Sequence, residues 1–335
     1  MADAAVDLSI VICTFHRETL LARALASVIA QRRPDDFRFD VIVVDNSDSG
    51  TAAPVIEAAR LTAPFAIRAL AAHPANISVA RNAGVAATSA TWIAFVDDDQ
   101  ALEPDWLVHV ARAVSSMPHD VLFGAIDTEF EAPERATPAT RKLFTRGIDA
   151  PSGDDLFALG PRKTRDIALS TANAMFRRAT TFHEPAPFDL AFGAGGGEDY
   201  DLLCRLERDG RCFGWLPGAK AREFVPASRC EPSYLLLRFY AGGQAFAAAA
   251  AGASARPRAT RWRLRGRALV QAGWLLMQAP FALHGSAARR DHAYRWAGVL
   301  GKLSIGGILP IYRRTEAPTP ASRSARVNPG FLTKI

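Results

Sequence analysis

Three consecutive carboxylates, Asp97, Asp98 and Asp99, directly follow the apolar run from Trp92 to Val96. Like charges this close repel one another, so the tip of an apolar strand is an unfavourable place for them unless a cation binds. On an extended segment side chains at i and i+2 share a side, which predicts that Asp97 and Asp99 converge and that Asp98 faces elsewhere. Such oxygen ligands suit Mg²⁺ or Mn²⁺. A solvated loop with helix-capping aspartates is the alternative.

A second acidic pair, Glu198 and Asp199, stands further along the chain behind the glycine-rich segment "GAGGG" at 193–197. The pattern predicts that the pair lies in the first turn of a helix, where the helix dipole favours ionised carboxylates. A general base near neutral pH needs such an ionised group. Ordinary charge at a helix N-terminus is the alternative for this pair taken by itself.

Short β-branched runs alternate with segments of helical periodicity through the first hundred residues. The alternation is typical of an α/β fold with a parallel sheet and right-handed crossovers, in which ligands bind beyond the carboxyl ends of the strands. Thr14, Asp45 and the three aspartates stand at those ends, so we expect them to share one site. The predicted strands are 8–14, 39–45, 65–70 and 92–99, and the predicted helices are 17–31, 51–61 and 78–89.

The first strand-to-helix turn, "CTFHRETLL", contains neither G-x-G-x-x-G nor G-x-x-x-x-G-K-[ST]. This counts against a dinucleotide oxidoreductase and a P-loop NTPase. A metal-dependent nucleotidyltransferase is an alternative because it also uses paired acids, although the turn lacks the expected glycine-rich basic signature. A non-catalytic membrane-associated nucleotide-binding protein is a further alternative, disfavoured by the presence of both acidic sites.

Positive charge is concentrated in the last third of the chain, where 16 of the 40 Lys/Arg but only 3 of the 34 Asp/Glu follow Cys230. Four arginines between 261 and 267 precede an apolar stretch, 268–283, that is shorter than the ~20 residues needed to cross a bilayer. We expect an amphipathic element that lies on an anionic membrane surface. Helices packed on the rest of the protein, with a solvated basic face, are the alternative.

Nucleic acid is not an expected partner, because the aromatic residues of the basic region are interleaved with aliphatic runs. The four cysteines form no C-x-x-C pair, which indicates plain thiols in a reducing compartment. The N-terminus lacks the pattern of a signal peptide. We therefore expect a cytoplasmic protein, peripheral at the inner face of the cell membrane.

The chain of 335 residues is long enough for one large domain with an appendage. Residues 147–166 are rich in Gly, Pro and Asp and are predicted to form a mobile loop. We expect a nucleotide-sugar and acceptor-binding catalytic domain over 1–230, a helical region over 231–314 and a disordered tail over 315–335.

Five segments occur in a fixed order over residues 8–206: "IVICTFHRETLLARALASVIAQ", "VIVVDNSDSG", "NISVARNAGVAAT", "WIAFVDDD" and "GGGEDYDLLCRL". Together they resemble the motifs of family 2 glycosyltransferases, which are inverting enzymes of the GT-A fold, and in particular bacterial exopolysaccharide enzymes of the succinoglycan type. The resemblance implies a Rossmann-like, mostly parallel sheet flanked by helices, to which the chain adds a basic C-terminal helical extension. It also implies transfer of a hexose, glucose or galactose, from a UDP-sugar to a lipid-linked or polysaccharide acceptor.

The resemblance assigns roles to the residues at the ends of the first strands. Thr14 and Arg17 would line the uracil pocket, and Asp45 would accept a hydrogen bond from the base. Arg81 and Asn82, in the "ARN" that opens a helix, would contact the nucleotide or the pyrophosphate.

The resemblance also assigns the acids. Asp97 would contact the ribose and the metal, Asp99 would coordinate a Mg²⁺ or Mn²⁺ ion that bridges the diphosphate, and Asp98 counts among the nucleotide-sugar contacts. Asp199 would be the general base, and Glu198 would support the acceptor.

One departure from the family pattern concerns the metal or phosphate contact, often a histidine, that follows the base in many GT-A enzymes. The segment 221–239 offers Glu223, Arg229 and Arg238 but no histidine. Arginine can neutralise a diphosphate through bidentate contacts, so Arg229 is the better candidate.

Overall fold

The computed structural model describes residues 6–160, 162–164, 167–282 and 285–311. Its strands are β1 (Leu8–Thr14), β2 (Phe39–Asp45), β3 (Ile67–Ala71), β4 (Trp92–Phe95), β5 (Gln100–Leu102), β6 (Val121–Phe130), β7 (Asp155–Leu156), β8 (Ala174–Arg177) and β9 (Phe213–Val225). Its helices are α1 (Glu18–Ile29), α2 (Ala53–Arg60), α3 (Ile77–Ala86), α4 (Trp106–Ser116), α5 (Pro138–Phe144), α6 (Arg178–Thr181), α7 (Glu198–Arg208), α8 (Pro232–Gly252), α9 (Pro257–Ala282) and α10 (Ser286–Leu303), with a 3₁₀ turn at Ala227–Cys230.

The nine strands form one mixed sheet in the order β3-β2-β1-β4-β8-β6-β9-β5, with β7 paired to β9. The strands β3, β2, β1 and β4 are parallel. Successive side chains of β1 point to opposite faces of the sheet: Ile10 and Ile12 pack towards α1, α2 and α4, whereas Val11 packs towards α3 and α7. Strand residues buried on both faces read as continuous apolar runs. The predicted fold class, a mostly parallel α/β sheet flanked by helices, is confirmed.

The structure differs from the sequence prediction at two strands. β4 ends at Phe95, and Asp98 and Asp99 form a turn that leads into the three-residue strand β5. β9 was not predicted, because its sequence "FGWLPGAKAREFV" interrupts the apolar alternation with glycine, proline and charged residues. The predicted loop 147–166 contains the short strand β7, which pairs with β9.

The C-terminal helices pack on the sheet domain through α8. The aromatic rings of Tyr200 on α7 and Phe246 on α8 stack, with 5.7 Å between their centroids. Beside them Cys204 packs against Ala245 and Ala249. The packing alternative concerned the basic stretch 261–290, which begins in α9 and ends in α10 and does not include α8. Of the helices in the described part of the chain, none is both long and apolar enough to cross a membrane.

α8 and α10 approach each other through glycines. A Cβ atom placed on Gly301 would lie 2.0 Å from the carbonyl oxygen of Tyr240, and one on Gly243 would lie 2.2 Å from that of Gly298. Backbone atoms cannot yield as a flexible side chain can, so these two positions require glycine for the helices to pack this closely.

We predict that Gly301→Ala separates α8 from α10 and lowers the free energy of unfolding by about 1–3 kcal/mol, the usual cost of overpacking. Gly266→Ala on α9 is the matched control, since nothing lies within 4 Å of its Cβ position. That change should stabilise the protein slightly, because alanine favours helix more than glycine does. Urea denaturation of both variants measures the difference, and equal effects would contradict close packing of α8 on α10.

Candidate active site

A cavity of about 930 Å³ lies where β1 and β4 end, at the edge of the sheet that the sequence predicted. This volume is at the upper end of the range for small-molecule sites, about 300–1,000 Å³. α8 and α10 contribute to its walls together with the sheet domain. Among the residues predicted from the sequence, it brings together Thr14, Arg17, Arg81, Asp97, Asp98, Asp99, Glu198, Asp199 and Arg229.

Two of the three aspartates are linked to one arginine. Arg17 donates to Asp98 (2.9 Å) and to Asp99 (3.0 Å), and Thr14 donates its hydroxyl proton to the other oxygen of Asp98 at 2.9 Å. The predicted alternation, with Asp98 facing elsewhere, is wrong because the segment turns instead of remaining extended. Asp98 therefore belongs to the cavity as fully as Asp99 does.

Arg229 completes this part of the site. It donates to Asp99 at 3.1 Å, and both side chains are largely buried. Sequence analysis singled out Arg229 as the charged group that follows the base, and the structure places it on the acids. Its proposed contact with a diphosphate remains a prediction.

The second acidic pair begins α7. Arg81 on α3 forms a buried ion pair with Glu198 and lies 3.7 Å from a carboxylate oxygen of Asp97, so it links the two acidic segments. Gly197, just before the helix, has a left-handed φ of 100°, and a Cβ there would lie 2.5 Å from the Cβ of Ala245 on α8. Glycine is thus required for α7 to begin here.

The Glu198 carboxyl is held tightly. Burial raises its pKa, while Arg81 lowers it. Within the described residues its Oε2 has no hydrogen-bond partner, and it is buried, which leaves one acceptor available to a ligand. Asp199 is half-buried in the cavity wall and accepts the backbone N–H of Tyr200 at 2.6 Å.

Burial and the repulsion between neighbouring carboxylates raise the pKa values of acids in the cavity. Burial raises the pKa of Asp98 to about 6, against the attraction of Arg17, and Asp99 raises it further. Glu223 on β9 is also buried in the cavity wall, and burial followed by the charges of Asp99 and Asp97 raises its pKa to about 8. The neighbouring arginines therefore do not fully offset the negative charge.

This residual repulsion fits a divalent cation. Asp97 is more accessible than its two neighbours, and burial, with Asp99 close by, raises its pKa. Mg²⁺ and Mn²⁺ are typically held by one or two carboxylates plus water and substrate phosphates. A preformed group of three His, Cys, Asp or Glu ligands is not found among the described residues. The donor set matches a cation that binds together with a diphosphate.

Two predicted nucleotide contacts are used elsewhere. Asp45 accepts the backbone N–H groups of Ser47 and Ala52, each at 2.9 Å, and so fixes the turn between β2 and α2. Asn82 exchanges two hydrogen bonds of 2.9 Å with the backbone of Phe188. Neither is among the described residues that line the cavity. Their roles at a nucleotide stay predictions.

Cys13 is the one cysteine among the described residues that line the cavity. Burial raises the pKa of its thiol to about 12, so it stays protonated near neutral pH. A protonated thiol is neither a nucleophile nor a good metal ligand. This agrees with the sequence prediction of plain thiols.

Sequence reasoning missed one wall of the cavity, which contains Lys163, Tyr200, Phe246 and Lys302 and which we call the lysine–aromatic wall. Lys163 lies in the predicted mobile loop, and Phe246 and Lys302 lie in helices that were predicted for membrane contact. Tyr200 follows the predicted base directly. Only that adjacency could have indicated any of these residues.

An acidic cluster at the carboxyl ends of the parallel strands faces a second acidic pair at a helix N-terminus, in the crevice where ligands bind in open α/β sheets. The family model Glycosyl transferase family 2 matches residues 9–180, just over half of the chain, and the chain belongs to this family of enzymes. The family resemblance drawn from the five motifs is therefore confirmed.

Two curated relatives are similar in sequence. The succinoglycan biosynthesis protein ExoM of Rhizobium meliloti (strain 1021) is 28% identical over 244 residues, which cover 73% of this chain and 75% of ExoM. The hyaluronan synthase of Pasteurella multocida is 24% identical over 245 residues, which cover 67% of this chain but only 25% of the synthase.

Solved structures share the fold at low identity. TarS of S. aureus, residues 1–349, has a TM-score of 0.54 at 17% identity, covering 89% of each chain. The same TarS fragment has been solved with UDP and with UDP-GlcNAc. The mannosyltransferase PcManGT of Pyrobaculum calidifontis, solved with GDP-Man and Mn²⁺, has a TM-score of 0.54 at 16% identity, covering 90% of each chain.

We predict that Arg81→Met destabilises the protein by about 3–5 kcal/mol, because it leaves the Glu198 carboxylate buried without its partner. Adding Glu198→Gln should recover part of the loss, since the buried charge is then removed as well. The control is Arg32→Met, whose pair with Asp105 is exposed and should be worth no more than about 1 kcal/mol. Denaturant unfolding of the wild type, the single variants Arg81→Met and Glu198→Gln, their double variant and Arg32→Met gives the comparison, and additive effects of the two cavity substitutions would contradict the coupling.

Proposed function

We propose that the protein is an inverting hexosyltransferase that moves glucose or galactose from a UDP-sugar to a hydroxyl group of a lipid-linked or polysaccharide acceptor. The observation that carries the proposal is that Asp199 shares one cavity with Asp97, Asp98 and Asp99. A base and a diphosphate-binding cluster in one cavity are what a single displacement requires. The similarity to ExoM supports a role in cell-surface polysaccharide synthesis, and the UDP complexes of TarS support the nucleotide.

The reaction needs one proton transfer and one displacement. Asp199 removes the proton from the acceptor hydroxyl, whose oxygen attacks the anomeric carbon from the face opposite UDP. The bond from that carbon to the diphosphate oxygen breaks, and the bonding electrons leave with UDP, so the anomeric configuration inverts. The N-terminal dipole of α7 stabilises the negative charge of Asp199 before the transfer.

The departing diphosphate carries the charge that the site must accept. Arg17 and Arg229, which bind the aspartates in this structure, would contact its oxygens through bidentate hydrogen bonds, and for Arg17 this proposal replaces the uracil contact that the family resemblance implies. A Mg²⁺ or Mn²⁺ ion held by Asp97 and Asp99 would supply further charge neutralisation when bound. The Mn²⁺ in the PcManGT complex supports this choice of cofactor.

We propose the division of the chain into a catalytic domain over 1–230 and a helical region over 231–314. The cavity supports a functional link between them, because α8 and α10 contribute Phe246 and Lys302 to its wall. The last three residues of the helical region and the predicted disordered tail, 315–335, lie outside the described residues.

We predict that Asp199→Asn retains UDP affinity within about twofold and lowers the transfer rate by at least about a hundredfold, since proton removal by a positioned base contributes about 10²–10⁴. The measurement is UDP release across a panel of UDP-sugars with a lipid-linked acceptor extract, alongside calorimetric UDP binding. Each assay is run once with Mn²⁺ and once with a chelator. We expect the chelator to reduce both the affinity for UDP and the turnover.

The matched control is Asp209→Asn, at the exposed far end of the same helix. It should keep wild-type turnover. Turnover of Asp199→Asn at the wild-type rate would overturn the assignment of the base. Absence of UDP binding by the wild-type protein would overturn the proposed donor.

We propose that α9 holds the enzyme against the inner face of the cell membrane. Its outward surface changes along the helix. The first half exposes arginines, among them Arg261 and Arg267, and the second half exposes Val270, Trp274 and Met277. The opposite face packs on α10. Exposed apolar side chains next to arginines match a surface of acyl chains beneath anionic headgroups.

We predict that Trp274→Glu weakens binding to vesicles that contain phosphatidylglycerol by at least about tenfold, since a buried apolar side chain contributes about 1.5–3 kcal/mol. Leu61→Glu is the control: it replaces an equally apolar, 89% exposed residue after α2, away from α9. Cosedimentation with vesicles measures both variants. Equal binding of the two would contradict the role of α9.

A further inference from the structure

The lysine–aromatic wall has no role in the proposed displacement. Lys163 lies 4.6 Å from the ring centroid of Phe246, and Lys302 lies 5.5 Å from the same centroid. Tyr200 stacks on this ring and lies next to Asp199 in the chain. Two ammonium groups thus flank an aromatic pair beside the proposed base.

The two ammonium groups lack an acidic partner. Lys163 donates to the hydroxyl oxygen of Tyr200 at 3.1 Å, and Lys302 donates to the side-chain oxygen of Gln271 at 3.0 Å. Among the residues that the structure describes, no carboxylate lies within 4.0 Å of either ammonium group, although Glu207 is near enough to attract Lys163. Glu207 also accepts the backbone N–H groups of Ala158 and Leu159.

The surroundings make the two positive charges costly. Burial lowers the pKa of Lys163, and Lys302 lowers it further by repulsion; burial also lowers the pKa of Lys302. Partly desolvated like charges destabilise a protein unless a ligand of opposite charge binds. A cation pair in the wall of a cavity is therefore the arrangement of a site for an anion.

We infer that the lysine–aromatic wall is the acceptor subsite and that it selects a saccharide carrying an anionic group, either a phosphate or a carboxylate. The rings of Tyr200 and Phe246 line the cavity and would contact a sugar ring, while Lys163 and Lys302 bind its negative group. An acceptor held there has its hydroxyl beside Asp199. The inference rests on the proposed function. It restricts the acceptor of that reaction to saccharides that carry a negative charge.

The donor diphosphate has a different place. Its proposed partners, Arg17 and Arg229, contact Asp98 and Asp99, whereas the two lysines contact aromatic rings and neutral oxygens. The cavity therefore has basic side chains in two regions, paired with acids in one and without an acidic partner within 4.0 Å in the other, as far as the described residues show. One region faces the metal-binding acids, and the other faces the helices α8 and α10.

The test uses three small sugars on the full-length protein with saturating UDP and Mn²⁺, so that the donor region is filled. Methyl β-glucuronide carries a carboxylate, glucose 1-phosphate carries a phosphate, and methyl β-glucoside is neutral. We expect titration calorimetry to show at least tenfold tighter binding of one charged sugar than of methyl β-glucoside. Which charged sugar binds more tightly separates a carboxylate acceptor from a phosphate acceptor.

Variants locate the binding. In Lys163→Met/Lys302→Met the preference for the charged sugars should fall to within twofold, with the affinity for methyl β-glucoside unchanged. Phe246→Leu should weaken all three sugars alike, because it removes the ring platform. Lys220→Met, an exposed lysine on β9 outside the cavity, is the control and should match the wild type.

Equal binding of the three sugars by the wild type would overturn the inference, and so would a charge preference that survives loss of both lysines. Failure of the proposed function is recognised separately, as absence of UDP release with every UDP-sugar. A charge preference that depends on the lysines, in a protein without transfer activity, would keep the anion site and overturn the hexosyltransferase.

Discussion

The crowding of carboxylates at one edge of the sheet is the constraint on which the site depends. Parallel strands bring their carboxyl ends together, so Asp97, Asp98 and Asp99 meet Glu223 of β9 in one partly dry region. The raised pKa values of Asp98 and Glu223 show that this region is unfavourable for negative charge. Nearby arginines hold the acids in place without neutralising them fully, which keeps the region ready for a cation and a diphosphate.

Arg81 carries this constraint to the rest of the molecule. It is buried on α3, pairs with Glu198 on α7 and lies near Asp97, so a single guanidinium fixes the distance between the two acidic segments. Its pKa is raised by these acids despite burial, so it stays charged. The start of α7 at Gly197 then sets where Asp199 stands. Helix α7 thereby positions the proposed base, while the acids proposed to bind the metal stand at the turn between β4 and β5.

The sequence predicted the parts of this site that rest on strand order and failed where a turn or a distant contact decides. The first four strands, the strand-end acids and the start of α7 follow from periodicity and from motif order. The direction of the Asp98 side chain could not be predicted. Side chains alternate between two sides only in an extended chain, and residues 98–99 form a turn. Asp45 caps its own turn, a use that the same strand-end position allows equally, and its contact with a nucleotide stays a prediction. The contact of Lys302 with Phe246 depends on close helix packing, which no local pattern encodes.

The three C-terminal helices pack together, and this links the cavity physically to the proposed membrane face. α8 and α10 line the cavity on the side of the lysine–aromatic wall, and α9 packs against α10 with its apolar half outward. A lipid-linked saccharide has its anionic linkage at the headgroup level, next to the membrane surface. An enzyme that rests on α9 would therefore present its anion-binding wall towards that level, while its donor region, built from the sheet, faces the strand ends. Glycines at the α8–α10 contact keep these helices close, so displacement of α9 by lipid would be transmitted to Lys302 through a rigid pair and not through a flexible linker.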